Sequence, residues 1–320
     1  MKRIVVTGAG GQVGTELVPA LRDAYGQAAV LATDIRDAPP SLVDRGPWER
    51  VDCTVAEQVG GAVRRHQADA VFHLAAILSA TAEKDPGRAY RINMDGLYNV
   101  LEVAREAGCA VFTPSSIAAF GPSTPADPTP QDTLQRPTSM YGVTKVAGEL
   151  LCDYYHQRWG VDTRGLRYPG LISHVAEPGG GTTDYAVDIY YHAVRGQPYA
   201  CFLAGGTQLD MMYMPDAVRA AMEVMEADGA CLVHRNAFNV TAMQLTPERM
   251  AASIRQVVPD FEMRYDVDPV RQRIAESWPR RMDDGAAREE WGWQPVWELD
   301  AMTRDMLKQL GRRLAASQNV

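Results

Sequence analysis

The stretch TGAGGQVG, residues 7–14, stands between a short apolar run and a helical pattern that begins at Glu16. Gly8, Gly11 and Gly14 allow a sharp turn, let backbone amides approach a pyrophosphate and let the helix pack closely on the strand. A tight strand-to-helix turn that binds no ligand has the same glycines. The pattern therefore predicts a βα turn and, if later residues agree, a dinucleotide site.

An acidic residue follows at the distance that a dinucleotide site requires. Asp34 ends the second apolar run, 20 residues after Gly14. A carboxylate there accepts hydrogen bonds from both hydroxyls of the adenosine ribose and repels a 2′-phosphate. Arg36 offsets part of that repulsion, and a surface aspartate at a strand end is the alternative. We predict NAD rather than NADP as the cofactor.

Five β-rich apolar runs alternate with longer helical patterns over the first 170 residues, which is typical of βαβ units. The runs cover residues 3–7, 30–34, 70–74, 110–114 and 163–168. A long helix is predicted over residues 141–159 and a later one over residues 184–195. We expect an α/β protein with a Rossmann-type doubly wound parallel sheet in residues 1–170. A smaller C-terminal α/β substrate lobe is expected in residues 171–320, with some segments returning to the first domain.

Two further strand ends are expected beside the cofactor. Asp52 and Cys53 end a further strand candidate, the third along the chain, which lies between the runs at 30–34 and 70–74. Asp52 can accept from the adenine amine there. Leu74, Ala75 and Ala76 end the next run, and their mostly small side chains leave room for the cofactor backbone. A solvated carboxylate and a simply buried strand end are the alternatives. The remaining residues expected to contact the cofactor are Gln12, Val13, Ile35, Asn93, Ser115, Tyr168 and the Tyr141–Lys145 pair described next.

The sequence YGVTK, residues 141–145, opens the long helix and follows Ser115 and Ser116 at a strand end. The i to i+4 spacing puts Tyr141 and Lys145 on one helix face. A free phenol has a pKa of ~10, so a base near neutral pH needs ~3 units of depression, which an adjacent ammonium partly supplies. We predict Tyr141 as the general base, Lys145 as its activator and ribose ligand, and Ser116 as the group that orients the substrate oxygen. Two surface residues of an amphipathic helix are the alternative.

A glycine-rich segment marks a possible anion site in the second half. Residues 179–183, GGGTT, run into the helix predicted from Asp184. Amides and threonine hydroxyls gathered at a positive helix end suit a carboxylate. A loop in which Asp184 caps its own helix is the alternative.

Composition narrows the classes of function. The chain has 320 residues, 46% of them hydrophobic and 22% charged, and a net charge of −8 without a long basic block. These values are typical of a soluble globular protein and argue against a nucleic-acid partner. The five cysteines are scattered and never form a CxxC pair, which argues against disulfides and zinc. No apolar run approaches ~18 residues. We predict a cytoplasmic protein without a metal ion or a membrane partner.

The motifs TGAGGQVG, SSIAAFG (residues 115–121) and YGVTK, together with Asp34, resemble the extended branch of the short-chain dehydrogenase/reductase superfamily. In that branch the catalytic serine stands five residues before the glycine of the SSxxxxG segment. Here that glycine is Gly121, so the resemblance assigns the role to Ser116.

Longer segments carry a closer resemblance within that branch. Residues 73–86, 167–173, 177–194, 211–217 and 276–293 are similar to the L-threonine 3-dehydrogenases of the short-chain type. The resemblance implies oxidation of the β-hydroxyl of L-threonine to 2-amino-3-oxobutanoate by hydride transfer to NAD.

The same resemblance implies a substrate site and an assembly. Whether Thr182 or Thr183 makes the main substrate contact stays open. Members of the branch commonly pair through two long helices, here near residues 93–107 and 141–159, which predicts a homodimer. The substrate-binding residues that the resemblance implies are Ser79, Ser116, Tyr141, Gly181 and Thr182.

Two other functions stay open from the sequence. Extended-branch members that act on nucleotide sugars usually carry an asparagine after the sixth strand and a basic residue in an R-(D/E)-(F/Y)-(I/V)-H-V-like segment. This chain has RYPGLIS at 167–173 and DMMYM at 210–214 instead, which disfavours a nucleotide-sugar epimerase or reductase. A non-catalytic NAD-sensing protein is the other alternative. The presence of Ser116, Tyr141 and Lys145 counts against it.

Overall fold

Strands and helices alternate along the chain in a computed structural model that describes residues 1–177 and 181–318. Its strands are β1 (Ile4–Thr7), β2 (Val30–Asp34), β3 (Trp48–Arg50), β4 (Ala70–His73), β5 (Ala110–Ser116), β6 (Thr163–Tyr168), β7 (Gly170–Ile172), β8 (Tyr199–Cys201), β9 (Leu209–Tyr213), β10 (Asn236–Asn239), β11 (Met243–Leu245) and β12 (Met263–Tyr265). Its helices are α1 (Gly14–Tyr25), α2 (Pro40–Val43), α3 (Ala56–His66), α4 (Ser79–Lys84), α5 (Pro86–Tyr90), α6 (Gly96–Ala107), α7 (Met140–Trp159), α8 (Tyr185–Val194), α9 (Met214–Glu226), α10 (Pro247–Arg255), α11 (Pro269–Glu276), α12 (Gly285–Trp291) and α13 (Leu299–Gln318). A π-helical turn, Arg91–Asp95, leads into α6.

Within the described residues, seven parallel strands form the central sheet in the order β10, β6, β5, β4, β1, β2, β3. The order reverses between β1 and β4, and ligands of such sheets bind at the carboxyl ends of the strands beside that reversal. The predicted Rossmann-type doubly wound sheet is confirmed. The five predicted strands differ from the observed ones by at most two residues at either end. The third strand was placed too late, because β3 ends at Arg50 and Asp52 and Cys53 lie beyond it.

Apolar side chains of the central strands alternate between two helical layers. Ile4 and Val6 pack with the α1 and α9 side, whereas Val5 packs with α3, α6 and α7. Strand residues alternate between faces, and both faces are covered, so the strands are continuous apolar runs. This layering accounts for the unbroken hydrophobic signal in the sequence.

A smaller α/β part has its own sheets and its own apolar core. Strands β11, β9 and β7 form one sheet, β12 and β8 form another, and α8, α10 and α13 pack around a separate apolar core. Strand β10 nevertheless pairs with β6 in the central sheet, and α9 packs on α1. Helix α8 agrees with the helix predicted over residues 184–195. No helix in the described ranges is long and apolar enough to cross a membrane.

Two glycines of the first turn lie so close to neighbouring backbone atoms that a side chain would clash with them. Gly8 has a φ of +67°, and a Cβ there would lie 2.6 Å from the backbone nitrogen of Ala75. Gly14 is the first residue of α1, and a Cβ there would lie 2.5 Å from the carbonyl oxygen of Ala9. The turn therefore requires glycine at both positions, for the turn itself and for close packing of the helix.

Candidate active site

The carboxylate of Asp34 lies at the carboxyl end of β2 and is held by the first turn. It accepts hydrogen bonds from the Gly10 amide at 3.0 Å, from the Arg36 amide at 3.1 Å and from the Arg36 guanidinium at 3.1 and 3.3 Å. Burial acts to raise the pKa of Asp34, but the bonds from Arg36 and Gly10 prevail and lower it. The structure thus presents a charged carboxylate where the sequence predicted a ribose ligand. Nothing in the sequence pattern singled out Gly10 as its support.

The middle glycine of the predicted phosphate turn is bonded within the turn itself. The Gly11 amide donates to the Gly8 carbonyl at 3.0 Å, and the Gly11 carbonyl accepts from the Thr15 amide at 3.0 Å. A Cβ at Gly11 would lie 3.1 Å from the Gly8 carbonyl oxygen. Gly11 thus shapes the turn, and its place in the cofactor site stays a prediction.

The residues at this edge fit a dinucleotide. The N-terminus of α1 follows the glycine turn, and such a terminus attracts phosphate. Ile35, beside Asp34, is an exposed apolar side chain, as a stacking surface for an adenine requires. A cavity of about 30 Å³ brings together six residues that the sequence assigned to the cofactor, which are Leu74, Ala75, Ala76, Asn93, Ser115 and Lys145. Gln12 and Val13 lie in the turn and are partly buried.

Several predicted cofactor residues have their polar groups engaged within the protein. The Asp52 carboxylate accepts from the amide and hydroxyl of Thr54 at 2.9 and 2.7 Å. Cys53 is buried against Gly96. The Tyr168 hydroxyl donates to the carbonyl of Ala217 at 2.6 Å inside the core. These bonds favour a structural role for the hydroxyl of Tyr168 and leave only part of the Asp52 carboxylate for a ligand.

Asn93 clamps the loop that leads to α4 onto the long helix. Its side chain accepts from the Ile77 amide at 2.7 Å and donates to the Ile77 carbonyl at 3.2 Å and to the Thr144 hydroxyl at 3.0 Å. Asn93 lies in the π-helical turn, and such turns are frequent at functional sites. Its amide therefore shapes the edge of the cavity beside Lys145.

The long helix α7 begins at Met140, where Ser139 caps it by accepting from the Gly142 amide at 3.1 Å. This start puts Tyr141 in the first turn, buried to 9% exposure, with the Lys145 nitrogen 5.4 Å from the centre of its ring. The ammonium donates to the carbonyl of Pro114 at 2.6 Å. The predicted pair is therefore brought together next to strand β5.

The ionisation of this pair differs from the sequence expectation. Burial raises the pKa of Tyr141 to about 12, although a hydrogen bond with Ser116 acts to lower it. Burial lowers the pKa of Lys145 to about 8, while Glu149 acts to raise it. The expected depression of the phenol pKa is absent in this arrangement, because the phenol is desolvated.

The two serines at the end of β5 point to different partners. Ser116 hydrogen-bonds with Tyr141 and accepts from the Ala118 amide at 3.2 Å. Ser115 donates instead to the carboxylate of Glu149. Consecutive residues of a strand face opposite sides, so only one of the two serines can meet the phenol. That residue is Ser116.

The residues implied for the substrate lie on two separate segments. Ser79 is the first residue of α4 and is partly buried, whereas Thr182 is 5% exposed just before α8. The Gly181 amide donates to the Asp184 carboxylate at 2.7 Å, so that amide already has an anionic partner. The Thr183 methyl packs against Gly170. Gly179 and Gly180 of the predicted glycine run lie outside the described residues.

A buried network beneath helix α7 was missed from the sequence. Glu149 and Arg167 form an ion pair at 2.9 Å, and both are less than a tenth exposed. The available signal was the spacing of Glu149, one turn after Lys145. Within the described part of the chain, no group of three or more His, Cys, Asp or Glu side chains is arranged to hold a metal ion.

Comparison with known proteins identifies the family. The model of the NAD dependent epimerase/dehydratase family matches residues 4–240. The chain belongs to this family. An uncharacterized epimerase/dehydratase of Staphylococcus saprophyticus is 56% identical over 308 residues, which are 96% of each chain.

Solved structures similar to this epimerase/dehydratase family member include L-threonine dehydrogenases. The enzyme from Clostridium difficile has a TM-score of 0.96 and 52% identity, with 98% of each chain covered. The holo form of the enzyme from Cupriavidus necator has a TM-score of 0.94 and 49% identity, covering 96% of this chain and 99% of that chain. The resemblance stated from the sequence is confirmed, and the cofactor of this family member is NAD.

Asp34→Ser tests the cofactor end of the site. The change removes the acceptor for the ribose diol and frees Arg36 to pair with a 2′-phosphate. We expect the ratio of kcat/KM for NAD over that for NADP to fall at least about tenfold, or about 1.4 kcal/mol. Asp52→Ser is the control and should leave the ratio unchanged, because both cofactors share the adenine. An unchanged ratio in Asp34→Ser would show that Asp34 does not select the cofactor.

Proposed function

We propose that the protein oxidises the β-hydroxyl of L-threonine with NAD, giving 2-amino-3-oxobutanoate and NADH. The observation that carries the proposal is the contact of Tyr141 with Ser116, with Lys145 one turn along α7 at the carboxyl edge of the sheet. The solved L-threonine dehydrogenases of similar sequence and fold support the choice of substrate.

In this reaction the C–H bond at the β-carbon and the hydroxyl O–H bond break, and a carbonyl forms. Bound NAD supplies the hydride acceptor, and its positively charged nicotinamide ring favours a nearby phenolate. Tyr141 takes the hydroxyl proton as general base, and Ser116 holds the oxygen in line with the phenol. Lys145 stabilises the phenolate and binds the ribose of the nicotinamide.

The segment before α8 provides the group for the substrate carboxylate. Thr182 is buried close to the N-terminus of a ten-residue helix, whose end attracts negative charge. Ser79 lines the same amino-acid site from α4, and Gly181 contributes by holding Asp184 in place. We assign most of this binding to residues 171–320 apart from β10 and α9. Residues 1–170 contribute Ser79 and also hold the NAD site and the catalytic residues.

A nucleotide sugar is disfavoured as the substrate, because the arginine at the end of β6 is already paired within the protein. Arg167 is 7% exposed and bonded to Glu149, so its guanidinium is not available to a pyrophosphate. A small amino acid needs no such partner.

The outer faces of α6 and α7 carry exposed apolar side chains. Leu150, Tyr154 and Trp159 of α7 and Tyr98 of α6 are 62%, 52%, 42% and 50% exposed. Such a patch on two adjacent helices is typical of a contact surface. We propose that two copies pair through these helices.

Leu150→Arg tests this dimer, since a charge at the centre of the patch would have to be desolvated on pairing. We expect a homodimer for the wild type and a monomer for the variant in sedimentation velocity. Val233→Arg, at a residue 79% exposed on another surface, should remain a dimer. A monomeric wild type would contradict the proposal.

A cytoplasmic location is also proposed, because four of the five cysteines are buried thiols and a reducing compartment keeps Cys231 unpaired. Cell fractionation tests it, and recovery outside the cytoplasm would contradict it.

Thr182→Ala tests the substrate assignment. Loss of one hydrogen bond to a carboxylate is worth ~1.5 to 3 kcal/mol, so kcat/KM for L-threonine should fall about tenfold to a hundredfold while NAD affinity stays constant. Thr183→Ala is the matched variant. Its kcat/KM for L-threonine should fall less, because the methyl group of Thr183 packs on Gly170.

NADH formation should be followed at 340 nm with L-threonine, L-serine, a 3-hydroxy acid, a nucleotide sugar and 2-butanol. Wild-type protein should prefer L-threonine. Because 2-butanol lacks the carboxylate, its kcat/KM should fall little in Thr182→Ala. Equal losses for L-threonine and 2-butanol would show that Thr182 only shapes the loop. No turnover of L-threonine by the wild type would refute the proposed function.

A further inference from the structure

A buried ion pair lies one helical turn beyond Lys145. The carboxylate of Glu149 on α7 and the guanidinium of Arg167 on β6 are 6% and 7% exposed. Arg167 Nη2 lies 2.9 Å from one carboxylate oxygen, and Nε lies 3.1 and 3.2 Å from the two oxygens. The forked geometry fixes the carboxylate in one orientation.

The remaining hydrogen bonds of the pair reach three other parts of the site. Glu149 accepts from the Ser115 hydroxyl on β5 and from the Gln135 amide group at 2.9 Å. Arg167 Nη1 donates to the Gln131 carbonyl at 2.8 Å and to the Asn239 side chain on β10 at 3.2 Å. The pair therefore ties the strand that carries the catalytic serine, and the loop that follows that strand, to the long helix.

Stability alone is a weak reason for this arrangement. Burying two charges costs several kcal/mol per ion, and replacing such a pair by apolar side chains is often neutral or stabilising. The location is more informative: Tyr141, Lys145 and Glu149 follow each other at i, i+4 and i+8 on one helix face. The carboxylate is thus the next charged group along the face that bears the predicted base.

Among the titratable groups around the Lys145 ammonium, Glu149 is the one whose negative charge favours the ammonium form. Burial lowers the pKa of His73 to about 3 and raises that of the Cys152 thiol, so both groups are neutral near pH 7. The cationic Arg167 is bonded to the Glu149 carboxylate. The titratable or charged groups that face the ammonium from its own helix and from the packed strands are Tyr141, Glu149, Cys152, His73 on β4 and Arg167 on β6.

We propose that Glu149, paired with Arg167, is a positioning residue that keeps Lys145 in its ammonium form and fixes the Ser115–Ser116 segment beside Tyr141. The proposal rests on the proposed function, because it concerns the base of that reaction. Glu149 itself touches neither substrate nor cofactor in this scheme.

A specific pH signature follows, because Tyr141 and Lys145 titrate as a pair. Two forms of the pair have lost one proton. In the productive form Tyr141 is a phenolate and Lys145 is an ammonium, whereas in the competing form Tyr141 is a phenol and Lys145 is a neutral amine. With a pKa of about 8 for Lys145 and about 12 for Tyr141, the first proton leaves the pair near pH 8, so activity rises through that pH. Removing the Glu149 charge lowers the pKa of Lys145 more than that of Tyr141, which lies a turn further away. The rise in activity then moves to lower pH, and the competing form makes up a larger share of the pair that has lost one proton.

The first experiment measures kcat for NADH formation from L-threonine between pH 6 and 10 in Glu149→Gln. A nearby carboxylate shifts a pKa by about one unit or more, so the midpoint should fall by about one unit and the alkaline plateau by about tenfold. Asp153→Asn is the control: it removes the same charge one turn further along α7, where the carboxylate accepts from Asn236 at 2.8 Å. Its midpoint and plateau should match the wild type. A lower plateau with an unmoved midpoint in Glu149→Gln would reduce Glu149 to a structural role and overturn the proposal.

A second readout needs no substrate. The chain has only four lysines, Lys2, Lys84, Lys145 and Lys308, so the pH dependence of their modification by an amine reagent can be resolved by mass spectrometry. The labelling midpoint of Lys145 should fall by about one unit in Glu149→Gln while the other three stay constant. An unchanged Lys145 midpoint would overturn the proposal even in an active protein. A wild type inactive on L-threonine would refute the proposed function and leave this test intact.

Glu149→Gln leaves Arg167 buried without its partner and can destabilise the fold. The double variant Glu149→Gln with Arg167→Met removes both charges at similar volume. Lys145 should still label with a lower midpoint than in the wild type, since Glu149 is the member of the pair whose charge acts to raise the pKa of Lys145. A midpoint equal to or above that of the wild type would contradict the assignment.

Discussion

The parallel pairing of the seven central strands in the described chain is the constraint on which the site depends. Because all strands run the same way, every carboxyl end opens onto one edge. The glycine turn after β1, Asp34 after β2, Ala75 after β4 and Ser116 at the end of β5 meet there, although 108 residues separate Gly8 from Ser116. Helix α7 then needs only to begin beside β5 for Tyr141 and Lys145 to complete the site.

Most of the fold and the core of the site could be predicted from local patterns. Apolar runs located five of the seven strands of the central sheet to within two residues, and the YGVTK spacing located Tyr141 and Lys145 on one face. Ser116 was separated from Ser115 only by resemblance to a family, and the structure gives the physical reason: adjacent strand residues face opposite ways, so Ser115 binds Glu149. The bonds of Asp52 to Thr54 and of Tyr168 to Ala217 could not be predicted, because periodicity does not encode such contacts.

Burial is the property that the sequence could not supply, and it changes the chemistry of the pair. An exposed ammonium beside a phenol would lower the phenol pKa, as the spacing suggested. In the structure desolvation acts on both groups, raises the pKa of Tyr141 and lowers that of Lys145. The long-range ion pair of Glu149 and Arg167 then matters, because it brings a compensating negative charge into the same buried environment. Pro114 adds a neutral acceptor for the same ammonium.

The site is therefore a balance of buried charges on one helix face, and Tyr141 is the proposed general base. The most direct measurement is the rate of NADH formation from L-threonine by Tyr141→Phe, with NADH affinity measured in parallel by fluorescence. Loss of proton transfer alone should lower kcat by a factor of ~10² to 10⁴ and leave NADH binding nearly unchanged. A phenylalanine variant that retains most of the wild-type rate would show that the base lies elsewhere.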